Sequence, residues 1–483
     1  MEKYISVTKV LSVFFMLFLI GCNANSNTYH EITSKIDEEK TKKNSISSTE
    51  NEIDHSSISA SQTPKEILQG HLTIKTFWDE DIGIYIQDFI SLHPNVTIDL
   101  IQPGKDDFFS FDDYQMQTAV ELMSGKSADI IDVAGLAVFK YAKSGAFCDL
   151  YSFMDSDPDF NKDDYYTNIF EGKEFNGSLY SMPCGFTYDM LYGSKNLLEA
   201  ANLQLPITIN YKEMFSIYEE VLASTEESPK LMPGLDPYTF FYYEYPEYYD
   251  INTRTASFNT PDFIEYLKTT KDRIPLNDEN DFTRIGYDDS FLYKDYLFCK
   301  FDISGGTDLF NFIYDFQNIT EPIPIVSTSG NTYFRTMREY AIANSSTNKE
   351  LAWEFIKYYI SEKELPNTLE SEYAEKYYSV YNAFVPINKE NFFHGFKFSC
   401  NYALKYVNAD FSVPLKDDEI DQLIGQSLKL IDQWNQSRTT EQAEGEIYGL
   451  LCDELNNYYY FDLLTAEEVA AKLQNKMKIF LQE

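Results

Sequence analysis

His71–Phe77 alternates at Leu72, Ile74 and Thr76, the two-residue period of a β-strand. From residue 82 the period lengthens. Ile82, Tyr85, Ile86, Phe89 and Ile90 fall at i, i+3, i+4, i+7 and i+8, one stripe of a helix. Asp81 is placed to cap its start and Pro94 to stop it. Val96, Ile98 and Leu100 then alternate again. A strand, a helix and a strand within so short a stretch predict a parallel pair joined by a right-handed crossover. The alternation continues. Met116, Ala119, Val120 and Met123 predict a second helix with Gly125 at its C-terminal end. Ala128–Val133 reads as a buried strand, Gly135 opens the next turn, and Leu136 to Lys143 reads as helix ending near Gly145. Far along the chain, Leu351, Ala352, Phe355, Ile356 and Tyr359 form one stripe behind Asn348 as cap, with Trp353 off its centre as a structural residue. Thr465 and Glu468 have capping-box spacing ahead of Val469, Leu473 and Met477. The fold class is α/β.

The first residues say where such a chain resides. An apolar run from Val10 to Ile20, interrupted at Ser12, is too short to cross a bilayer as a helix, which takes about 20 residues. It suits the apolar region of a secretory signal. It ends in Leu19-Ile20-Gly21-Cys22, which resembles a bacterial lipobox, so residues 1–22 are expected to be a lipoprotein signal with Cys22 as the lipidated residue. Residues 23–66, rich in Ser, Asn, Thr, Lys and Glu, hold too little apolar surface to offset their ordering entropy. They are expected to be a disordered tether reaching on the order of 40 Å. The implied setting is the outer face of a bacterial membrane.

Net charge changes the picture in one respect. At −38 it argues against nucleic-acid binding, which relies on clustered Lys and Arg, and weakly against anionic substrates; solubility is its plainest reading. Beyond Cys22, Cys148, Cys184, Cys299, Cys400 and Cys452 are too widely spaced for a metal or redox motif and are odd in number, so they read as small buried hydrophobes with at most one disulfide among them.

Several motifs fail on inspection. Gly125-Lys126-Ser127 follows a helix and has Val120 where a phosphate loop needs Gly. Asp155, Asp157 and Asp159 open like a calcium loop, yet Phe160 and Tyr166 stand where Gly and Glu are required. There is no H-E-x-x-H and no G-x-S-x-G, and no cofactor is expected. What remains is KTFWDED at residues 75–81, the loop leaving the carboxyl end of the first strand. Ligands of open α/β sheets bind outside that edge. Trp78, Asp79 and Glu80 are therefore candidate ligand contacts, and Asp132, near the end of its own strand, is placed to face the same cleft.

The order of segments resembles bacterial family 1 extracellular solute-binding proteins, the sugar-binding lipoproteins of ABC importers. LTIKTFWDED…FISLHPNVTIDL resembles their start, ELMSGKSADIIDVAG with KYAKSGAFCDLYSFM their first lobe, and FNGSLYSMPCGFTYDMLYGSKNLLEAA their crossing between lobes. EYAIANSSTNKELAWEFIKYYI with VPINKE resembles their return segment, and LTAEEVAAKLQNKMKIFLQE their last helix. The resemblance covers roughly residues 70–200 and 300–483; residues 200–300 match poorly and carry the tyrosines of PYTFFYYEYPEYYD, read as packing in an insertion.

The resemblance implies two lobes, each a mostly parallel sheet flanked by helices, with a hinge and a cleft between them. Lobe one would be 67–184 plus about 322–362, and lobe two about 185–321 plus 363–483. It implies a monomeric binding protein that is not an enzyme, captures a small solute, a sugar or oligosaccharide, and passes it to importer membrane subunits. Tyr188 just past the crossing, Asp308 after Gly305-Gly306, and Arg335 in NTYFRTMREY join the candidate contacts. The residues alone leave two alternatives open: an anchored extracellular hydrolase such as a glycosidase, and a sensory or adhesive lipoprotein without transport.

Overall fold

The computed structural model describes residues 67–77, 82–102, 110–226, 228–274, 296–303, 320–363, 374–381, 384–402 and 445–483, with isolated residues between 405 and 441. Strand β1 (Gly70–Lys75), helix α1 (Ile82–Leu92) and strand β2 (Val96–Ile101) form the expected unit, its strands parallel from Gly70↔Val96 to Lys75↔Ile101. The helix buries Ile82, Tyr85, Ile86 and Phe89. Helix α2 (Phe111–Ser124) leads to β3 (Ile130–Asp132), parallel to β1 on its other side. Helices α3 (Val138–Lys143), α4 (Leu150–Ser156) and α5 (Thr167–Gly172) precede the long strand β4 (Met182–Gly193). Next come α6 (Lys195–Ala200), α7 (Tyr211–Ser224), α8 (Phe241–Glu244), the small pair β5 (Tyr249–Asp250) and β6 (Thr255–Ala256), α9 (Pro261–Arg273), β7 (Phe298–Ile303) and β8 (Ile323–Pro324). Strand β9 (Thr332–Ile342) leads to α10 (Lys349–Ile360), α11 (Ala374–Tyr381), β10 (Val385–Pro386), α12 (Lys389–Tyr402), β11 (Thr439–Glu441), α13 (Gly445–Tyr459) and α14 (Ala466–Gln482).

The sheet is mixed and runs on through both halves of the fold. Its order is β10-β4-β9-β3-β1-β2, with β11 on β9 and with β7 and β8 on β4. The expected parallel pairing holds for β1 with β2 and β3, but β4 and β9 are antiparallel to each other and to most of their neighbours.

These two long strands serve two cores. Phe186 and Met190 of β4 lie in a first cluster with Leu72, Ile74, Phe89 and Phe355, whereas the next residue, Leu191, lies in a second cluster with Phe241, Tyr266, Phe298 and Leu473. Likewise Phe334 belongs to the first cluster and its neighbour Tyr333 to the second. Side chains alternate across a strand, so the two cores occupy opposite faces of the crossing. Val385, Phe392 and Phe396 pack in the first core, and Leu451, Leu473 and Met477 in the second.

Helix α2 turns most of its apolar stripe outward. It buries Tyr114, Thr118 and Leu122 and leaves Met116, Val120 and Met123 exposed. The Tyr114 hydroxyl donates to the Asp132 carbonyl at 2.7 Å, which turns that face of the helix to the sheet. Gly125 closes α2 in the left-handed conformation as expected, φ 64°. In α10 the stripe Leu351, Ala352, Phe355, Ile356 and Tyr359 is buried as expected, and so is Trp353, whose indole donates to Asp157 at 2.8 Å. Asn348 does not cap that helix with its side chain. The Thr465–Glu468 capping box is present in both directions. The tyrosine-rich insertion packs in the second core, with Tyr243 and Tyr245 buried. None of the five described cysteines is in a disulfide.

Candidate functional site

The carboxyl edge of β1 and β3 is braced from within. Thr76 is buried and its hydroxyl donates to Asp132 Oδ2 at 3.0 Å; Oδ1 of the same carboxylate accepts from the Ala134 amide at 3.1 Å. Asp132 is 0% exposed. Its carboxylate is buried and ties two strand ends together instead of facing a cleft, because the strand ends there and its last turn needs an acceptor. Phe77 sits edge-on to Phe111 and Tyr114. Trp78, Asp79, Glu80 and Asp81 follow immediately and lie outside the described residues, as do Asp308 and Cys22.

Charge gathers where β4 passes from one core to the other. Tyr188 stands opposite Phe334 of β9 and Ile303 of β7 at once, the point of passage. Thr187 and Arg335 are directly paired, so Thr187, Asp189, Leu191, Arg335 and Lys300 (opposite Leu191) share the face of the second core. On that face three donors converge on Asp189. The Tyr243 hydroxyl donates at 2.7 Å, an Arg335 guanidinium nitrogen lies at 3.3 Å and Lys300 Nζ at 3.4 Å. Asp189's side chain is only 3% exposed, while those of Arg335 and Lys300 are 35% and 26% exposed, so solvent reaches the cations and not the carboxylate behind them.

Further groups surround this cluster. Asp236 accepts from the Thr239 hydroxyl at 3.0 Å; burial raises its pKa, opposed by Thr239, the Tyr238 amide and nearby Lys300. Tyr242, whose pKa burial raises and the Arg335 charge lowers, stacks on Tyr448 with centroids 4.4 Å apart. Tyr448 belongs to the first turn of α13, and that turn also reaches the turn after β3. Glu446 Oε1 accepts from the Ala137 amide at 3.5 Å, and Gly445 approaches Gly135 so closely that a Cβ would sit 3.4 Å from its carbonyl oxygen. Gly135 itself has φ +77°. Thus α13 joins the turn after β3 to the charged cluster.

Of the candidates read from the sequence, Arg335 and the backbone of Tyr188 are brought together, and Asp132 serves the scaffold. Asp189, Lys300, Asp236, Tyr242 and Tyr448 were missed. The signal for one of them was a lone charge inside an apolar strand, Asp189 in MPCGFTYDMLYG; Lys300 shares its strand FCKFDI with Asp302. Among the described residues no group of three or more His, Cys, Asp or Glu is placed to hold a metal. The arrangement is a cluster of donors and acceptors edged by aromatic side chains.

The model of bacterial extracellular solute-binding proteins matches residues 83–365, more than half of the chain. The chain belongs to that family. Solute-binding proteins of known structure share its fold at low identity. The ABC substrate-binding protein Lmo0181 from Listeria monocytogenes, solved with cycloalternan, is 13% identical with a TM-score of 0.53, covering 86% of this chain and 99% of its own. The sugar-binding protein MalE from Xanthomonas citri is 12% identical with a TM-score of 0.58, covering 86% and 98%. The GacH receptor of Streptomyces glaucescens, solved unliganded and with acarbose, is 14% identical with a TM-score of 0.52, covering 86% and 99%. No curated protein sequence matches the chain. As in those solute-binding proteins, the α/β fold has two lobes.

Proposed function

We propose that this solute-binding protein is lipid-anchored through Cys22 on the outer membrane face, captures a sugar or oligosaccharide between its lobes, and delivers it to an ABC importer. The observation that carries the reading is the pair of crossing strands: β4 and β9 each contribute to both cores, and Asp189, Arg335 and Lys300 sit where they cross. A solute touching both lobes there stabilises one arrangement of them by its differential affinity. Trp78, Asp79, Glu80, Asp308 and Tyr188 are proposed contacts from the neighbouring loops and the crossing itself. The related structures with cycloalternan and with acarbose support a saccharide as the solute. The lipobox-like Leu19-Ile20-Gly21-Cys22 supports the anchor.

The test is a thermal-shift panel of sugars, peptides and polyamines on the full chain, because a ligand bound only by the folded state raises the melting temperature. A shift with a saccharide that is recovered intact is the expected result. Shifts confined to peptides or polyamines, or recovery of cleaved sugar, would overturn the reading. Incorporation of a palmitate analogue that disappears in Cys22→Ser is expected for the anchor.

A further inference from the structure

Helix α3 has two sets of neighbours. Val138, with Leu136 before it, packs in a small cluster with Leu122, Ile131 and Val133 around the end of β3. Ala137, Phe139 and Ala142 face the second core, where Phe139 meets Phe480 of α14 edge-on at 5.8 Å. Charge ties this second contact down. Lys140 Nζ lies 3.1 Å from Glu483, 3.8 Å from Glu446 and 3.5 Å from the centre of the Phe480 ring. Lys143 Nζ donates to the carbonyls of Gln482 at 3.2 Å and Glu483 at 3.0 Å. Glu121 on α2 is already engaged by Lys75 at 2.7 Å. Glu444, next to Gly445, lies outside the described residues and has the sign of Glu446.

This seam is not packed as a core is. A groove of about 590 Å³ opens beside it, with Val120, Met123, Lys140, Glu446 and Glu483 in its lining. Protein interiors hold few voids larger than a water molecule. Contacts bordering so large an opening rest on a few side chains and can part without breaking a core. The turn of α13 that supplies Glu446 also supplies Tyr448, which stacks on Tyr242 beside the charged cluster. One turn of helix thus belongs to the seam and to the crossing.

We infer that Lys140 and Lys143, closing on Glu446 and the end of α14, form a charged latch that sets how tightly the crossing holds its solute without touching the solute. The inference rests on the reading of the crossing as the solute site and adds its regulation. A solute that draws in the first turn of α13 brings Glu446 onto Lys140, so the latch contacts add to the stability of the arrangement that holds the solute. Whatever favours that arrangement alone raises affinity. The pairs are partly exposed, at 20% for Lys140, 29% for Glu446 and 62% for Glu483, so each shifts the equilibrium only about threefold. Acting together they shift it about tenfold.

The experiment uses the full chain and two variants. Lys140→Met keeps an unbranched stem over the Phe480 ring, and Glu446→Gln keeps an acceptor for the Ala137 amide. Amide hydrogen exchange is read by mass spectrometry before and after adding acarbose, cycloalternan and any other sugar that the thermal-shift panel scores. Without sugar, residues 136–144 and 446–452 are expected to exchange about threefold faster in either variant, with α1 and α9 unchanged. A bound sugar is expected to slow both segments in the parent and to bind about three- to tenfold more weakly to the variants. Unchanged exchange in both variants overturns the latch, because the pairs then hold nothing. Acceleration spread through α9 and the rest of the second core also overturns it, because the pairs are then part of that core. A sugar that binds without slowing the two segments, or that binds parent and variants alike, overturns the latch and leaves the solute-binding reading standing. If no sugar binds, that reading falls and the inference falls with it.

Discussion

Asp189 shows what a single residue contributes to this fold. It is a buried carboxylate whose acceptors are filled by Tyr243, Arg335 and Lys300. Removing it in Asp189→Ala leaves a buried tyrosine hydroxyl and two cations without their shared acceptor, and breaking a buried pair in this way costs about 3–5 kcal/mol. The partial exposure of both cations places the expected loss at the lower end, about 3 kcal/mol by urea denaturation. Glu244 offers a second test at this scale. It is 1% exposed, and its oxygens accept from the Thr328 amide at 2.8 Å and the Thr328 hydroxyl at 2.9 Å. Burial nonetheless pushes its pKa up to about 7. A carboxyl group with a raised folded-state pKa holds its proton more tightly when folded. Its contribution to stability is full below the unfolded value of 4.5 and is lost as pH rises through about 7. Lys363, pushed down to about 7 by burial, runs the other way, gaining stability as pH rises from there. The comparison of Glu244→Gln with the parent isolates Glu244: the variant should gain on the order of 3 kcal/mol relative to the parent between pH 4.5 and pH 8. Equal stability differences at both pH values would remove the argument.

At the scale of elements, the helices differ in how well their faces could be read. In α10 and α14 the stripes read from the sequence face the core, and the polar groups buried beside them, the Trp353 indole and Gln474, do not displace them, so periodicity and structure agree. In α2 two signals conflicted. Met116, Val120 and Met123 have the period of a buried face but are 63%, 64% and 71% exposed, while Tyr114 and Thr118 hold the inner face. A hydrophobicity pattern cannot weigh a hydroxyl that finds a backbone acceptor across the sheet, as Tyr114 does at Asp132. The same limit hid the site. Asp189 meets Tyr243 at 54 residues' separation and Arg335 at 146, distances over which local pattern carries no information. The β1-α1-β2 unit was legible because all its determinants are local. The measurable consequence lies in α2. Leu122→Ala should cost about 2–4 kcal/mol as a buried truncation, whereas Met123→Ala one residue later should stay within about 0.5 kcal/mol. Comparable losses from both would place the face as the periodicity had it.

For the molecule as a whole, the constraint is that two strands must satisfy two cores without losing register. The pairs Pro183↔Glu339 and Gly185↔Met337 keep one register on either side of Arg338. Arg338 itself has φ 59°, a left-handed residue inside strand β9. An L-residue with a Cβ is strained there, by about 1–2 kcal/mol. Beside it Glu339 joins Lys173 in an ion pair at 2.9 Å in which both side chains are 4% exposed, and its other oxygen accepts from the buried Ser181 hydroxyl. Glu339 is therefore anchored to Lys173 and Ser181, while Arg335, three positions before Arg338, is paired with Asp189. The turn of the backbone at 338 lies between these two anchors. Glycine accepts this conformation without penalty and a β-branched residue accepts it worst. Arg338→Gly and Arg338→Val both remove the arginine side chain, so their difference reports the backbone alone. Val is expected to be less stable than Gly by about 1–2 kcal/mol by urea denaturation, and to bind the solute more weakly because the crossing can no longer keep its register. Equal stability of the two variants would mean that residue 338 is not held left-handed in solution, and the crossing strands would then need another residue to take the bend.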